Sequence, residues 1–183
     1  GEGDEGMTQL DMVSIVGKDT TILKNILVNT HLDLGKPVRV QVPPLRFGAL
    51  NNILLSTDKG TFQLYPDNLQ PTEGSHLKWT FYNVNSAGKC VMTDFAQVMG
   101  YCRAMIIDGR FFYANIYGSQ SCNLDLPTNH YSGSDELFPI GESLGTGLKE
   151  NSQTIVLYNK TKGCFVSQSS GYQAYCSDLK DKT

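Results

Sequence analysis

Residues 141–145, GESLG, match the Gly-x-Ser-x-Gly pattern in which a serine hydrolase holds its nucleophile. That chemistry needs a strand directly before the motif, a helix directly after it, and a histidine base later in the chain. Pro139 interrupts the strand pattern before Ser143, and Gly147 is a poor start for a helix. Three histidines occur and all precede Ser143: His31, His76 and His130. We therefore interpret GESLG as a glycine-rich loop and predict that the chain is not an enzyme.

Other catalytic and metal-binding patterns are missing from the sequence. The histidines show no HxH or HExxH spacing and the cysteines form no CxxC pair, so the sequence predicts no metal site and no cofactor. VGKDTT at residues 16–21 lacks the upstream glycine of a phosphate-binding loop. One alternative stays open: a hydrolase that pairs a thiol such as Cys122 with His130, since catalytic partners can meet only in the fold.

Four of the five cysteines form two pairs with the same spacing. Cys90 and Cys102 are twelve residues apart, as are Cys164 and Cys176, and Cys122 is left over. Each pair could close a β-hairpin by a disulfide if the two residues lie opposite each other across the strands. Two disulfides in an oxidising compartment and buried reduced thiols are both consistent with this spacing.

The longest stretch without a strand pattern, about residues 118–152, is the main candidate for a binding loop. A tyrosine beside short amides, hydroxyls and a carboxylate suits recognition, because the ring gives contact area and the polar groups give hydrogen bonds. The alternative is an ordinary polar crossover loop without a ligand, in which Leu137 and Phe138 are predicted to anchor the loop to the core. The candidate binding residues are Asn129, His130, Tyr131, Ser132, Ser134 and Asp135.

A second candidate surface lies on the strand predicted for residues 110–117, RFFYANIY. Alternation places one row on a single face: Phe111, Tyr113, Asn115 and Tyr117. The other row is predicted to face the core: Phe112, Ala114 and Ile116. Tyr113 and Tyr117 are candidate receptor-binding residues, although the row could instead pack under another sheet or against a second copy in a homodimer. Asn159-Lys160-Thr161 is a glycosylation sequon.

The elements that position these residues are predicted to be short antiparallel strands. Alternating or β-branched runs occur at residues 38–42, 76–84, 110–117 and 154–159, separated by Pro, Gly and Asn. DGR at 108–110 is predicted to be a turn, and TTILKNILVN at 20–29 fits either a strand or a short helix. The predicted fold is mostly β with few or no helices: an antiparallel β-barrel or β-sandwich, with a β-trefoil as one alternative.

Composition limits the domain count and the class of partner. The chain has 183 residues, of which 40% are hydrophobic and 18% charged, with a net charge of −3. No run of Lys and Arg could neutralise a row of phosphates, and no apolar stretch is long enough to span a bilayer. We therefore expect neither nucleic-acid binding nor membrane insertion. The start GEGDEG predicts a mobile acidic arm over residues 1–10, followed by one β-rich domain over 11–183, excised from a longer precursor.

Three windows of the sequence can be stacked as β-hairpin copies. They are LLSTDKGTFQLYP (54–66), CVMTDFAQVMGYC (90–102) and CFVSQSSGYQAYC (164–176), with Tyr65, Tyr101 and Tyr175 in one column. The layout resembles the strand-turn-strand unit of ricin-B-type β-trefoil lectins, although the Gln-x-Trp signature of that family is missing. The resemblance implies sugar contacts at Tyr101 and Tyr175.

The polar loops rich in Tyr and Asn, together with the missing catalytic sets, also resemble the projecting or spike domains of small virus capsids. This second resemblance implies a non-enzymatic attachment domain at a virion surface or in another extracellular place. Its partner would be a host glycan or a protein receptor, and it would form a homodimer. A secreted lectin of the trefoil type is the alternative.

Overall fold

The computed structural model of the chain describes residues 7–42, 53–65, 67–81, 83–98, 102–115, 126–146, 154–168 and 175–179. Within these residues, twelve strands form four antiparallel sheets, which confirms the predicted mostly β class. The strands are β1 (Met12–Val16), β2 (Asp19–Leu23), β3 (Pro37–Gln41), β4 (Ile53–Thr57), β5 (Gly60–Leu64), β6 (Met92–Val98), β7 (Cys102–Ile107), β8 (Arg110–Asn115), β9 (Gly145–Thr146), β10 (Ile155–Asn159), β11 (Cys164–Gln168) and β12 (Cys176–Asp178). The helical segments described are 3-10 turns at Glu73–Ser75, Leu77–Thr80 and Val84–Ser86.

The four sheets have the strand orders β1-β2, β3-β4-β5, β6-β7-β8 and β12-β11-β10-β9. None of them closes into a barrel within the described residues. The sheet β6-β7-β8 is buried on both faces, as the continuous apolar run in β7 favours. Met105, Ile107 and Phe112 point into one hydrophobic cluster, and Ile106 and Phe111 point into another. This sheet is therefore the middle layer of the domain.

The two clusters attach the other sheets to this middle layer. On one face, Leu54 of β4 packs with Leu77 and Phe81 from the 3-10 segment. On the opposite face, Leu157 of β10 and Val166 of β11 pack against the middle sheet. The candidate binding loop lies on this second face.

A third cluster lies behind β4 and β5. Leu55, Phe62 and Leu64 pack there with Leu27 and Leu34 from the connection after β2. Since Leu54 and Leu55 point into different clusters, β4 is buried on both faces like β7.

The turn predicted at DGR is confirmed. Asp108 and Gly109 connect β7 to β8 with φ values of 50° and 70°, the left-handed region that Asp-Gly hairpin turns require. The Asp108 carboxylate also accepts hydrogen bonds of 2.9 Å from the backbone N–H groups of Cys90 and Val91. The turn thus fixes the residues that directly precede β6.

The three stacked windows are not equivalent hairpins. Window 54–66 contains both strands of the β4–β5 hairpin, as predicted. Window 90–102 contains β6 and only the first residue of β7, which begins at Cys102. In window 164–176, β12 begins only at Cys176, the last residue. The repeat prediction is therefore wrong for the second and third windows, because their strands are longer or start later than the alignment assumed.

The predicted disulfide between Cys164 and Cys176 is wrong. Both are free thiols, and Cys176 lies opposite Gln168 in the β11–β12 pairing. Four residue steps of strand, about 13 Å, separate Gln168 from Cys164, whereas bridged Cα atoms lie within about 7 Å. Burial raises the pKa of the Cys176 thiol to about 12. The residue is a buried reduced cysteine.

The pairing of Cys90 with Cys102 is also wrong. Cys102 pairs with Val98 at the far end of β6, whereas Cys90 precedes the start of that strand and has a free thiol. Six residue steps of strand, about 20 Å, separate Met92 from Val98. Burial raises the pKa of the Cys90 thiol to about 12, with the Asp108 carboxylate adding to the effect. Cys122 lies outside the described residues.

Residues 76–84, predicted as a strand, contain the 3-10 turn Leu77–Thr80 and the first residue of the turn Val84–Ser86 instead. Local hydrogen bonds explain the difference. The His76 Nδ1 accepts from the N–H of Lys78, and the Thr80 hydroxyl donates to the carbonyl of Leu77. Side chains that bond to nearby backbone offer the chain an alternative to a sheet ladder. Alternation predicted that Leu77, Trp79 and Phe81 share one face; Leu77 and Phe81 are buried, but Trp79 is 56% exposed, so the alternation was only partly right about burial and wrong about the element.

The other predicted strands are confirmed as β3, β8 and β10, and residues 20–29 contain β2 followed by a turn. The predicted mobile arm extends too far. Thr8 is buried, and its backbone N–H and its hydroxyl donate to the carbonyl of Gly35 at 2.8 and 2.7 Å. The Leu10 carbonyl accepts from the N–H of Ile26. The ordered domain therefore includes residues 7–10, and residues 1–6 lie outside the described ones.

Candidate functional site

Residues 130–137 form a loop whose two ends are joined by Asn129 and Phe138. The Asn129 amide Nδ2 donates to the Phe138 carbonyl at 2.7 Å, and the Phe138 N–H donates to the Asn129 carbonyl at 3.0 Å. Phe138 is buried in the second cluster and holds one end of the loop against the core. A loop closed in this way at its base is held in one position by the scaffold.

The base of the loop is also bonded to the edge of β8. The N–H of Phe111 donates to the Asn129 Oδ1 at 3.0 Å, and the N–H of Thr128 donates to the Phe111 carbonyl at 2.8 Å. Asn129 is 1% exposed and uses its amide for these backbone groups. Its prediction as a ligand-binding residue is therefore wrong, and its role is structural. The predicted loop 118–152 is likewise interrupted by these contacts and by β9, and its residues 118–125 and 147–152 lie outside the described ones.

Tyr131 fastens the loop to the outer sheet. Its hydroxyl donates to the Asp178 Oδ1 at 2.6 Å and accepts from the Asn159 Nδ2 at 3.1 Å. The Lys162 ammonium lies 4.1 Å from the Tyr131 ring centroid and 3.1 Å from the Asp178 carboxylate. Burial and the Asp178 hydrogen bond raise the pKa of Tyr131, while the hydrogen bonds from Tyr131 and Lys162 lower the pKa of Asp178. Tyr131 is thus a fold contact, and its role as a ligand residue stays a prediction.

The sequon asparagine belongs to the same network. Asn159 is 1% exposed, and its Oδ1 accepts from the N–H groups of Thr161 and Lys162. A glycan attached there would need this amide to leave the interior. Asn159 therefore acts as a turn-forming residue in this fold.

A tight turn projects the other polar side chains of the loop outward. The N–H of Ser134 donates to the Tyr131 carbonyl at 3.1 Å, and Gly133 has a φ of 77° between them. The N–H of Glu136 donates to the Ser134 hydroxyl at 3.1 Å. A side chain at position 133 would be strained in this left-handed conformation, so the glycine is required by the turn.

The outward side of the loop forms one wall of a groove with a volume of about 610 Å³. Three apolar side chains and one glycine line it: Leu126, Pro127, Leu137 and Gly133. Six further described residues with polar side-chain atoms also line it: Thr128, His130, Ser132, Ser134, Asp135 and Tyr175. We name this set of ten residues the loop groove. Its size falls within the range of ligand-binding clefts in proteins.

The loop groove contains both hydrogen-bond donors and acceptors. The His130 Nδ1 lies 3.1 Å from the Tyr131 carbonyl, which can only accept, so a neutral imidazole keeps Nε2 as its acceptor. The Asp135 carboxylate is exposed. The Thr128 hydroxyl oxygen is buried and has no hydrogen-bond partner among the described residues. A polar group left unpaired in this way is costly unless a ligand or water bonds to it.

The structure places four of the predicted binding residues in the loop groove and adds other lining residues to them. His130, Ser132, Ser134 and Asp135 share the loop groove, as the sequence predicted for one binding loop. Leu137 was predicted to anchor the loop, but it is 37% exposed and lines the groove, whereas Phe138 is the anchor.

Tyr175 was not predicted as part of this loop, because only the pairing of strands brings it there. The N–H of Cys176 donates to the His130 carbonyl at 2.7 Å, and this contact places Tyr175 beside the loop. The sole sequence signal for Tyr175 was its place in the stacked hairpins. The apolar lining residues Leu126 and Pro127 had no signal, since neither residue type indicates a binding site by itself.

The second predicted surface, on β8, is partly buried where the structure describes it. Phe111 is fully buried in the second cluster, and Tyr113 is half-buried against the same cluster. These two residues fit the alternative that the row packs under another sheet, while the roles of Tyr113 as a receptor contact and of the row as a dimer contact stay predictions. Tyr117 lies outside the described residues.

GESLG is a loop, as predicted. Ser143 is exposed, and the short strand β9 begins at Gly145, the last residue of the motif, where a hydrolase would have a helix. The Leu144 N–H donates to the buried Asp94 carboxylate at 2.9 Å, which fixes the loop to β6. Among the described residues, no group of three His, Cys, Asp or Glu side chains could hold a metal ion.

No family model, curated protein or solved structure matches the chain. The resemblances to trefoil lectins and to capsid spike domains, and the expected homodimer, therefore stay predictions. No helix in the described part of the chain is long and apolar enough to cross a membrane.

Proposed function

We infer that this chain is a non-enzymatic recognition domain that binds a glycan in the loop groove. The observation that supports this function most directly is the composition of the groove: one surface combines an aromatic ring, aliphatic side chains, hydroxyls and a carboxylate. Sugars have apolar ring faces and polar edges, so they need both kinds of contact from one site. Residues with this mixture give large contact area at low cost in conformational entropy.

The way the loop is held supports the same function. Asn129 and Tyr131 connect the loop to the middle and outer sheets by hydrogen bonds, and Phe138 connects it by packing in the second cluster. A ligand then meets side chains that are already in place, and little ordering entropy is lost on binding. Binding residues on loops that a rigid scaffold positions are a common arrangement in proteins.

The biological setting remains a proposal of the same kind. We propose that the recognised glycan lies on a host receptor and that the domain acts outside the cell, at a virion surface. A protein receptor would be recognised through the same exposed side chains, and a secreted lectin would use the groove in the same way. The ligand class is the first point to test.

A glycan array probed with the domain displayed on a multivalent carrier tests the proposal, because multivalency makes weak sites detectable. Ser132→Trp places a large side chain on the exposed lining of the loop groove, and Ser143→Trp makes the same change on an exposed loop outside it. We expect the wild type and Ser143→Trp to bind the same glycans and Ser132→Trp to lose them. A wild-type domain that binds no glycan, or binding that Ser132→Trp leaves intact, would contradict the proposal.

A further inference from the structure

We propose that the loop groove selects uncharged saccharides over saccharides that contain a carboxylate or a sulfate. This inference rests on the proposed function and adds the chemical class of the ligand. It follows from the charges around the groove: none of the ten lining residues is Lys or Arg, and one of them, Asp135, is a carboxylate.

An acidic sugar would lose water from its charged group on binding and would need a cation or several strong donors in exchange. Charge-assisted hydrogen bonds from Arg or Lys are the usual compensation in proteins. The loop groove offers hydroxyls and an imidazole instead, and the Asp135 carboxylate would repel an anion. Repulsion of this kind is an effective way to exclude one ligand class while a related one still binds.

The chain segments that border the groove in sequence do not supply the missing cation. Residues 116–125 precede Leu126 and residues 169–174 precede Tyr175, and neither segment contains Lys or Arg. Asp125 adds a further acid next to Leu126 in the sequence. Neither of these two sequence segments therefore contains a basic side chain.

The basic residue that contacts the loop is already paired. Lys162 lies on the Tyr131 side, where its ammonium is 3.1 Å from the Asp178 carboxylate and 4.1 Å from the Tyr131 ring centroid. The hydrogen bonds of Tyr131 and Asp178 raise the pKa of Lys162, which shows that its charge is stabilised by these partners. Lys162 does not line the groove.

A neutral saccharide can form hydrogen bonds and a ring contact with the residues of the loop groove. Sugar hydroxyls can donate to the exposed Asp135 carboxylate. They can also accept from the hydroxyls of Ser132 and Ser134. The Tyr175 ring offers an apolar face for the sugar ring. Each of these contacts is available without burying an unpaired charge.

Matched pairs of oligosaccharides that differ only by a terminal sialic acid test the inference, with affinities measured by titration calorimetry at low salt. We expect the wild type to bind the neutral member at least about tenfold more tightly than the acidic one. Asp135→Lys should reduce this ratio by about tenfold or reverse it, because a cation then faces the anion. Asp67→Lys makes the same change of charge at an exposed site outside the groove and should leave the ratio unchanged.

The outcomes separate this inference from the proposed function. A wild type that binds the acidic member as tightly as the neutral one, with Ser132→Trp abolishing both, would overturn the selectivity and leave glycan binding in the groove intact. An Asp67→Lys effect as large as that of Asp135→Lys would also overturn it, since the discrimination would then come from net charge. A domain that binds neither member of any pair would overturn the proposed function itself.

Discussion

The segment from residue 126 to residue 138 has two sides: on the inner side polar side chains bond to the rest of the fold, and on the outer side they line the loop groove. On the inner side, Asn129 is 1% exposed, and its side chain bonds to the backbone N–H of Phe111 and the backbone carbonyl of Phe138. On the outer side, Ser132 and Asp135 are exposed and line the groove. Residues of the same kind, only a few positions apart, therefore serve folding in one case and are available to a ligand in the other.

This difference explains how a polar loop can keep a defined shape. Loops usually lack buried contacts and have low local stability. Here the inner side supplies one buried aromatic side chain and one buried amide, and Tyr131 adds a contact to the outer sheet. We therefore expect substitutions on the inner side to change the free energy of unfolding, and substitutions on the outer side to change ligand binding.

The largest expected contrast is between two adjacent residues. Phe138→Ala removes a side chain that is 8% exposed in the second cluster and should lower the free energy of unfolding by about 3–5 kcal/mol. Leu137→Ala removes a side chain that is 37% exposed and should cost below about 1 kcal/mol. Urea unfolding followed by circular dichroism measures both. Equal losses at the two positions would mean that Leu137, and not Phe138 alone, anchors the loop.

Asn129→Ala should have the next largest effect. It leaves the Phe111 N–H and the Phe138 carbonyl without their partner, and two unpaired buried groups correspond to a loss of about 2–4 kcal/mol. Asn68→Ala, at an exposed turn, is the matched control and should cost below about 1 kcal/mol. If the two variants unfold at the same urea concentration, Asn129 does not hold the loop base.

Tyr131→Phe should have a smaller effect, about 1 kcal/mol, because it keeps the ring and removes only the hydroxyl that bonds Asp178 and the buried Asn159 amide. Thermal unfolding measures the change. Tyr158→Phe, on the exposed face of β10, removes a hydroxyl outside this network and should leave the melting temperature nearly unchanged. A larger shift for Tyr158→Phe would contradict the assignment of Tyr131 as the fastening residue.

The smallest expected effect is the loss of stability at acidic pH that comes from protonation of Asp178. Asp178 has a folded-state pKa below its usual value of 3.8, chiefly through the Tyr131 hydrogen bond and then the Lys162 one. Its contribution is therefore fully present above pH 3.8 and is lost as the pH falls through the lower folded pKa. The stability difference between wild type and Asp178→Asn should be constant from pH 7 to about pH 4 and shrink below it. If the stability difference grew as the pH fell, the folded-state pKa of Asp178 would be raised and not lowered, which would contradict this prediction.

Much of the fold was predictable from local patterns. Alternation and β-branched runs identified β3, β8 and β10, and the Asp-Gly pair identified the turn after β7. The element at residues 76–84 was not predictable in this way, because hydrogen bonds from His76 and Thr80 to nearby backbone favour 3-10 turns over a strand. The disulfides failed because equal spacing says nothing about register: Cys176 pairs with Gln168, not with Cys164.

The candidate site was predictable in its position but not in its orientation. Composition identified residues 129–135, yet it could not separate Asn129 and Tyr131, which bond to the fold, from His130 and Asp135, which line the groove. The direction of a loop side chain depends on the contacts at the loop base. Tyr175 joins the groove through a backbone contact between Cys176 and His130, and nothing local to either residue indicates that contact.

Amide chemical-shift mapping of the isotope-labelled domain, titrated with a neutral oligosaccharide selected on the array, tests most directly whether the outer side of the loop binds ligand. We expect saturable shifts at residues 132–135 and at Tyr175, with little change at Asn129 and none around the exposed pair Tyr158 and Phe165. Saturable shifts centred on Tyr158 and Phe165, with the loop groove unaffected, would contradict this expectation.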